Sequence, residues 1–246
     1  MLHLLASEVF FISHESDTGL VITNIVKRQV SGVLILVQQC LLVTVVIAGS
    51  TLVDEKILSY VAKHYGPVAR ERLVSWDNLL KLHKDKSEQE KLAEVNNFFN
   101  QVRFVSDEQH WQQKDYWATP VEFLSTNGGD CEDFTLAKYF TLRELGVPDK
   151  KLRLTYVKSL KLNQAHMILS YFETPGSEPL VLDNLVKEIR RASLRRDLVP
   201  VYSFNGNGLW LAKEREQGKL VGKSSRVSRW SDVIQRMQKI NKKAGK

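Results

Sequence analysis

Cysteine is nearly absent from this chain: its 246 residues hold two, Cys40 inside an apolar run and Cys131 near the middle. If Cys40 leaves with a signal peptide, the mature protein keeps one thiol and cannot close an internal disulfide. A disulfide-stapled scaffold is thereby excluded, and a lone thiol in an exported protein points to a reactive one. Zinc-ligand clusters are missing, as is an aromatic-rich RNA-binding signature to accompany the formal charge of +7. Much of that excess lies in Lys219, Lys223, Arg226, Arg229, Arg236, Lys239, Lys242, Lys243 and Lys246 and reads as a solvated basic tail. Repeats are absent too. The apolar and charged fractions, 43% and 26%, are those of a globular protein, so disorder throughout is excluded.

The longest apolar run, Val33 to Ala48, is broken by Gln38-Gln39 and Thr44. It is short for a membrane span, which needs about 20 residues. Lys27-Arg28 precede it and Ala48-Gly49-Ser50 follow it, the order of a secretory signal. An uncleaved anchor is the alternative. The stretch from Met1 to Ile25 is too long for a signal's basic region, which suggests a non-AUG start at Ile25 or Val26. We therefore read 1–50 as an N-terminal extension plus signal peptide or anchor, 51–212 as the folded domain and 213–246 as a basic tail. Trp230, Val233, Ile234, Met237 and Ile240 give that tail an amphipathic pattern suited to a docking helix.

From Asp54 to about Phe104 the pattern is helical, with a break at Gly66-Pro67 and a capping box at Ser87 to Glu90. His64 and His83 read as surface or packing residues rather than catalytic ones. The second half changes period. Leu152 to Val157 alternates as a strand, and His166 to Phe172 and Leu180 to Asp183 flank Pro175-Gly176 as a hairpin. Val199 to Phe204 and Gly208 to Ala212 form another hairpin across Asn205-Gly206. Helices first and strands later predict an α+β fold.

Gly128-Gly129-Asp130-Cys131-Glu132-Asp133 leads into a helical pattern that ends at Gly146 and Pro148. Asp130 is a good N-cap, so Cys131 lies in the first helical turn, where free amides and the helix dipole favour the thiolate. On this segment alone an inert buried cysteine reads equally well. His166 and Asp183 change that. A turn centred on Pro175-Gly176 puts a position near 185 opposite His166, so Asp183 is a near-opposite or diagonal neighbour. A carboxylate beside the imidazole fixes its tautomer and steadies the imidazolium. The carboxylates Asp130, Glu132 and Asp133 oppose a thiolate at Cys131. They are also hard oxygen ligands suited to calcium, although the spacing is not an EF-hand and three solvated acids explain it as well.

These residues resemble the bacterial transglutaminase-like cysteine proteinases, in particular their periplasmic, adhesin-releasing members. The likeness is carried by Asp115-Tyr116-Trp117-Ala118-Thr119-Pro120 and by Gly129-Asp130-Cys131-Glu132-Asp133-Phe134. It continues in Ala137-Lys138-Tyr139-Phe140, Gly146-Val147-Pro148, Gln164-Ala165-His166-Met167, Leu182-Asp183-Asn184 and Tyr202-Ser203-Phe204-Asn205-Gly206. The resemblance implies a papain-like fold with the nucleophile's helix packed on an antiparallel sheet. It implies a cysteine endopeptidase in which Cys131 is nucleophile, His166 general base and Asp183 its orienting partner. It implies calcium at Asp130, Glu132 and Asp133. The substrate it implies is the N-terminal region of a large surface adhesin, whose release disperses a biofilm. The partner it implies is an inner-membrane cyclic di-GMP receptor whose periplasmic domain sequesters the protease, with the Trp111 to Trp117 region as a candidate contact. A transglutaminase-type acyl transferase and an inactive binding module are the rival readings, and a nucleic-acid binder is disfavoured by the export signal.

Overall fold

The structure, a computed structural model, describes residues 52–213 and 216–244. The apolar run with its flanking basic and small residues, and Cys40 within it, lie outside the described residues. Among the described residues no helix is long and apolar enough to cross a membrane.

The helical first half follows its local signals. Asp54 caps α1 (Glu55–Tyr65) by accepting the Ile57 amide at 2.8 Å, and Ile57, Leu58 and Val61 form its buried stripe. Gly66, at φ +88°, ends α1, and Pro67 opens α2 (Pro67–His83), since its missing amide costs nothing at a helix start. Ser87 and Glu90 close a reciprocal capping box on α3 (Glu88–Phe99). His64 and His83 bond back to carbonyls four residues earlier on their own helices. The helical stretch stops at Phe99, short of the expected Phe104, because Arg103–Phe104 form a strand, β1, that runs parallel to β2 (Gly128–Gly129).

A short α4 (Asp107–His110) and the capped α5 (Pro120–Thr126) lead to β2 and then to α6 (Cys131–Glu144). Arg72 reaches from α2 to the last carbonyls of α5, on Leu124 and Ser125, at 2.6 and 2.7 Å. That satisfies acceptors which a helix end leaves without partners.

The second half is one antiparallel sheet of β3 (Leu152–Ser159), β4 (Gln164–Tyr171), β5 (Leu180–Leu182), β6 (Arg190–Arg191), β7 (Leu198–Phe204), β8 (Leu209–Lys213) and β9 (Glu216–Gly222). Their spatial order is β6-β5-β4-β3-β7-β8-β9. Helix α6 packs against β4 and β3 at the centre, through Leu136 and Leu142 on the helix and Leu154 and Leu169 on the strands. Trp76, Phe99 and Phe123 fill the space behind it, and Trp76 Nε1 donates to Thr141 Oγ1 of α6 at 2.9 Å. Each such ring contributes about 2–3 kcal/mol on burial, which fixes α6 as a rigid base for its first residue.

The segment read as a basic tail continues this architecture. Strand β9 extends the sheet past residue 212, and α7 (Ser228–Ala244) buries Trp230 and Val233 in the main core. The Trp230 ring stacks on Phe140 at 5.4 Å. Arg229 pairs with Asp115 at 3.0 Å and Arg236 with Glu122 at 2.7 Å, tying the tail to the folded domain.

Candidate active site

Asp130 sits in extended backbone at the head of α6, and the Asp133 carboxylate accepts its amide at 3.3 Å. Cys131 is therefore the first helical residue. Gly129 must lack a side chain: a Cβ there would overlap the Asp133 carboxylate and come within 2.8 Å of the Phe123 ring. The Gly-Asp-Cys run is thus a tight approach of β2 to the start of α6.

His166 and Asp183 meet across the β4–β5 hairpin. The register pairs Leu169 with Leu182 and Tyr171 with Leu180, and continuing it places 185 opposite His166, as the turn position implied. His166 Nε2 lies 2.8 Å from Asp183 Oδ1, and both residues are buried. Asp183 Oδ1 also accepts the Leu185 amide at 3.1 Å, and Oδ2 lies 2.8 Å from the Arg195 guanidinium. Burial alone would raise Asp183, but His166 and Arg195 hold it below the usual carboxylate range. With Nε2 committed to Asp183, Nδ1 is the ring nitrogen left for a second partner.

Cys131 and His166 line one cleft of about 1020 Å³, with Trp117, Tyr156, Tyr202 and Leu211 among its walls. Thr135, one turn after Cys131, donates to the carbonyls of Cys131 at 2.8 Å and Met167 at 3.1 Å, tying the head of α6 to the strand that carries His166. The Cys131 thiol donates to Glu132 at 3.1 Å. Burial first, then the Glu132 and Asp130 charges, push that thiol well above its ordinary value.

The acids form a larger group than the sequence segment suggested. Asp130 and Asp133 converge with Asp107, and Glu132 with Asp107 and Asp115, each set with ligand atoms within 4.8 Å of one another. Asp133 also accepts the Ala118 amide at 2.6 Å. Asp107 Oδ1 and Asp130 Oδ1 are buried without a hydrogen-bond partner. Burial, aided by neighbouring acids, pushes Asp107 up to about 6 and Glu132 up to about 6. Asp130 rises to about 9, and Asp133 also rises well above its ordinary value. Crowded, dry carboxylates with unpaired oxygens fit a hard cation. Asp107 and Asp115 were both missed as members of the acid group: Ser106-Asp107-Glu108 has the form of an ordinary acidic helix start, and Asp115 stood only within a family-like run, with no role attached to it. Arg195 left no local signal.

Of the two tryptophans flanking Lys114 and Asp115, Trp117 is buried and stacked on Phe204 at 5.9 Å, while Trp111 is half-buried against Tyr116.

A thiol at a helix start, lining one cleft with a histidine that is paired to a buried aspartate, fits a cysteine hydrolase. The family model of the bacterial transglutaminase-like cysteine proteinases matches residues 71–196, and the chain belongs to that family. Among solved structures it is similar to Legionella pneumophila LapG, at 46% identity over 76% of this chain and 98% of that one, with a TM-score of 0.67. The EGTA-treated LapG gives 46% and 0.68 over the same shares. The calcium-bound LapG gives 45% and 0.65 over 75% of this chain and 99% of that one. No curated protein matches the chain.

Proposed function

We propose that this chain is an exported, calcium-dependent cysteine endopeptidase that cleaves the N-terminal region of a large surface adhesin, releasing it and dispersing a biofilm. The observation that carries the reading is the 2.8 Å His166–Asp183 pair beside the cleft that Cys131 lines. His166 Nδ1 takes the Cys131 proton, and the sulfur attacks the scissile carbonyl carbon. The new C–S bond replaces the C–N bond, the amine leaves with the proton from His166, and water then hydrolyses the thioester. Asp183 keeps the imidazole in the tautomer this requires and steadies the imidazolium. The backbone amide of Cys131, at a helix start, is one donor for the oxyanion.

Asp130, Glu132 and Asp133, joined by Asp107 and Asp115, would hold calcium. Its charge would offset the carboxylates that otherwise oppose a thiolate at Cys131. The reading is supported by the unpaired buried oxygens of Asp107 and Asp130 and by the existence of a calcium-bound LapG.

We place the protein in the periplasm, from the signal-like order of Lys27-Arg28, the apolar run and Ala48-Gly49-Ser50. Family resemblance supports an inner-membrane cyclic di-GMP receptor with a periplasmic domain as its inhibitor.

The test is to incubate purified protein with N-terminal fragments of the cell's large adhesins, in calcium and in excess chelator. Two discrete fragments in calcium, none in chelator and none with Cys131→Ala are expected. Full activity in chelator would remove the calcium assignment, and incorporation of an amine probe in place of hydrolysis would make the protein an acyl transferase.

A further inference from the structure

Lys138 is fully buried, at 0% exposure, two turns along α6 from Cys131, and no step above uses it. Lysine is almost never buried without a purpose or a partner. Its ammonium donates to Asn100 Oδ1 at 2.7 Å. Asn100, at the end of α3, donates through Nδ2 to the backbone carbonyl of Asp183 at 2.9 Å. One turn earlier on α3, Asn96 Nδ2 donates to the Lys187 carbonyl at 2.7 Å. Helix α3 therefore grips both ends of the 183–187 segment that follows β5.

The chemistry of these groups sets a direction. An amide side chain can present either its oxygen or its nitrogen, but an ammonium has only donors and a carbonyl only acceptors. With Lys138 on one side, the Asn100 oxygen must face it. That leaves the amide nitrogen for the Asp183 carbonyl, where a flipped amide would set oxygen against oxygen. Burial pushes Lys138 down to about 7, while the Asp183 charge acts in the opposite sense. The face of α6 that begins at Cys131 thus reaches each part of the site: Cys131 itself, Met167 beside His166 through Thr135, and Asp183 through Lys138 and Asn100.

We propose that Asn100, oriented by the buried Lys138 ammonium, is a positioning residue that holds Asp183 in line with His166. The proposal rests on the Cys131–His166–Asp183 reading and adds a second tier behind it.

Asn100→Asp is the variant that separates positioning from mere packing. Its carboxylate keeps Lys138 paired, and as an ion pair improves that contact, but it sets an oxygen where the Asp183 carbonyl needs a donor. Melting temperature, kcat and KM on an adhesin fragment would be measured, together with the rate of Cys131 alkylation by iodoacetamide against pH, which needs no substrate. The expected result is an unchanged or higher Tm, kcat lower by about tenfold or more with KM within about twofold, and an alkylation midpoint shifted to higher pH. Lys138→Met is expected to move kcat and the alkylation midpoint the same way. Wild-type kcat and a wild-type alkylation profile in Asn100→Asp would overturn the proposal, as would a loss that disappears at a temperature where the variant is fully folded. If the wild type cleaves no adhesin, the substrate assignment fails and the alkylation profiles alone decide the positioning role. If wild-type Cys131 is inert across the pH range, the triad reading itself has failed and the proposal falls with it.

Discussion

Asp183 and the acids around Cys131 are all carboxylates withdrawn from water, yet the protein treats them in opposite ways. Asp183 has its counter-charges folded in: His166 and Arg195 each lie 2.8 Å from it, and Lys138 acts on it from α6. It is held below the usual range. For Asp107, Asp130, Glu132 and Asp133, no lysine or arginine forms an ion pair among the described residues, and all four are pushed up. A buried acid with counter-charges folded in is kept ionised, whereas buried acids crowded together without them are costly to ionise unless a cation joins them. The first can be read from a side chain's neighbours, the second from their lack.

The comparison breaks most sharply at Asp183. Asp183→Asn is expected to lower kcat by about a thousandfold or more, by spoiling the imidazole's tautomer, and to cost about 2 kcal/mol in urea unfolding, since Arg195 loses a charged partner. Gly129→Ala attacks the other side through packing. With Asp133 and Phe123 in the way of a Cβ, we expect a loss of about 2 kcal/mol and weaker calcium binding by calorimetry.

Asp107→Asn should separate the two groups by sign. In chelator it removes repulsion among the acids and is expected to raise stability by about 1 kcal/mol, while calcium affinity falls. A destabilised Asp107→Asn in chelator would show that what its carboxylate holds, such as the Tyr116 amide, outweighs the repulsion among the acids.

The gentlest effect is on pH dependence. Asp107 and Glu132 at about 6 and Asp130 at about 9 bind protons more tightly in the folded than in the unfolded chain. The metal-free protein should therefore lose stability as pH rises from about 4 to about 9. Calcium should flatten that slope, which thermal melts across the range would reveal.

Features set by neighbours in the chain were legible in the sequence. The Gly66-Pro67 break, the Ser87–Glu90 box and the Asp130 cap are written within a few residues, and each stands where its residues place it. Even one long-range contact was accessible, because a hairpin's turn position fixes which residues face each other. That arithmetic brought Asp183 to His166. What stayed hidden depends on segments that approach only after folding. Asp107 joins Asp130 from a different helix start, Arg195 reaches Asp183 from a turn beyond β6, and Asn100 meets Lys138 across a helix pair. Strand β9 was concealed by its polar start, Glu216-Gln217-Gly218-Lys219, since an edge strand can carry charge on its open side.

The matched family span ends at residue 196, but the molecule's own engineering does not. Arg236 of α7 holds the Tyr116 hydroxyl, the Glu122 carboxylate and the Trp117 carbonyl, while Arg229 secures Asp115. A recombinant fragment cut back to the matched span would thus arrive without the buckle that fastens the 115–122 loop. A tag fused to the last helix is therefore a tag fused to the support of that loop, one end of which carries Asp115.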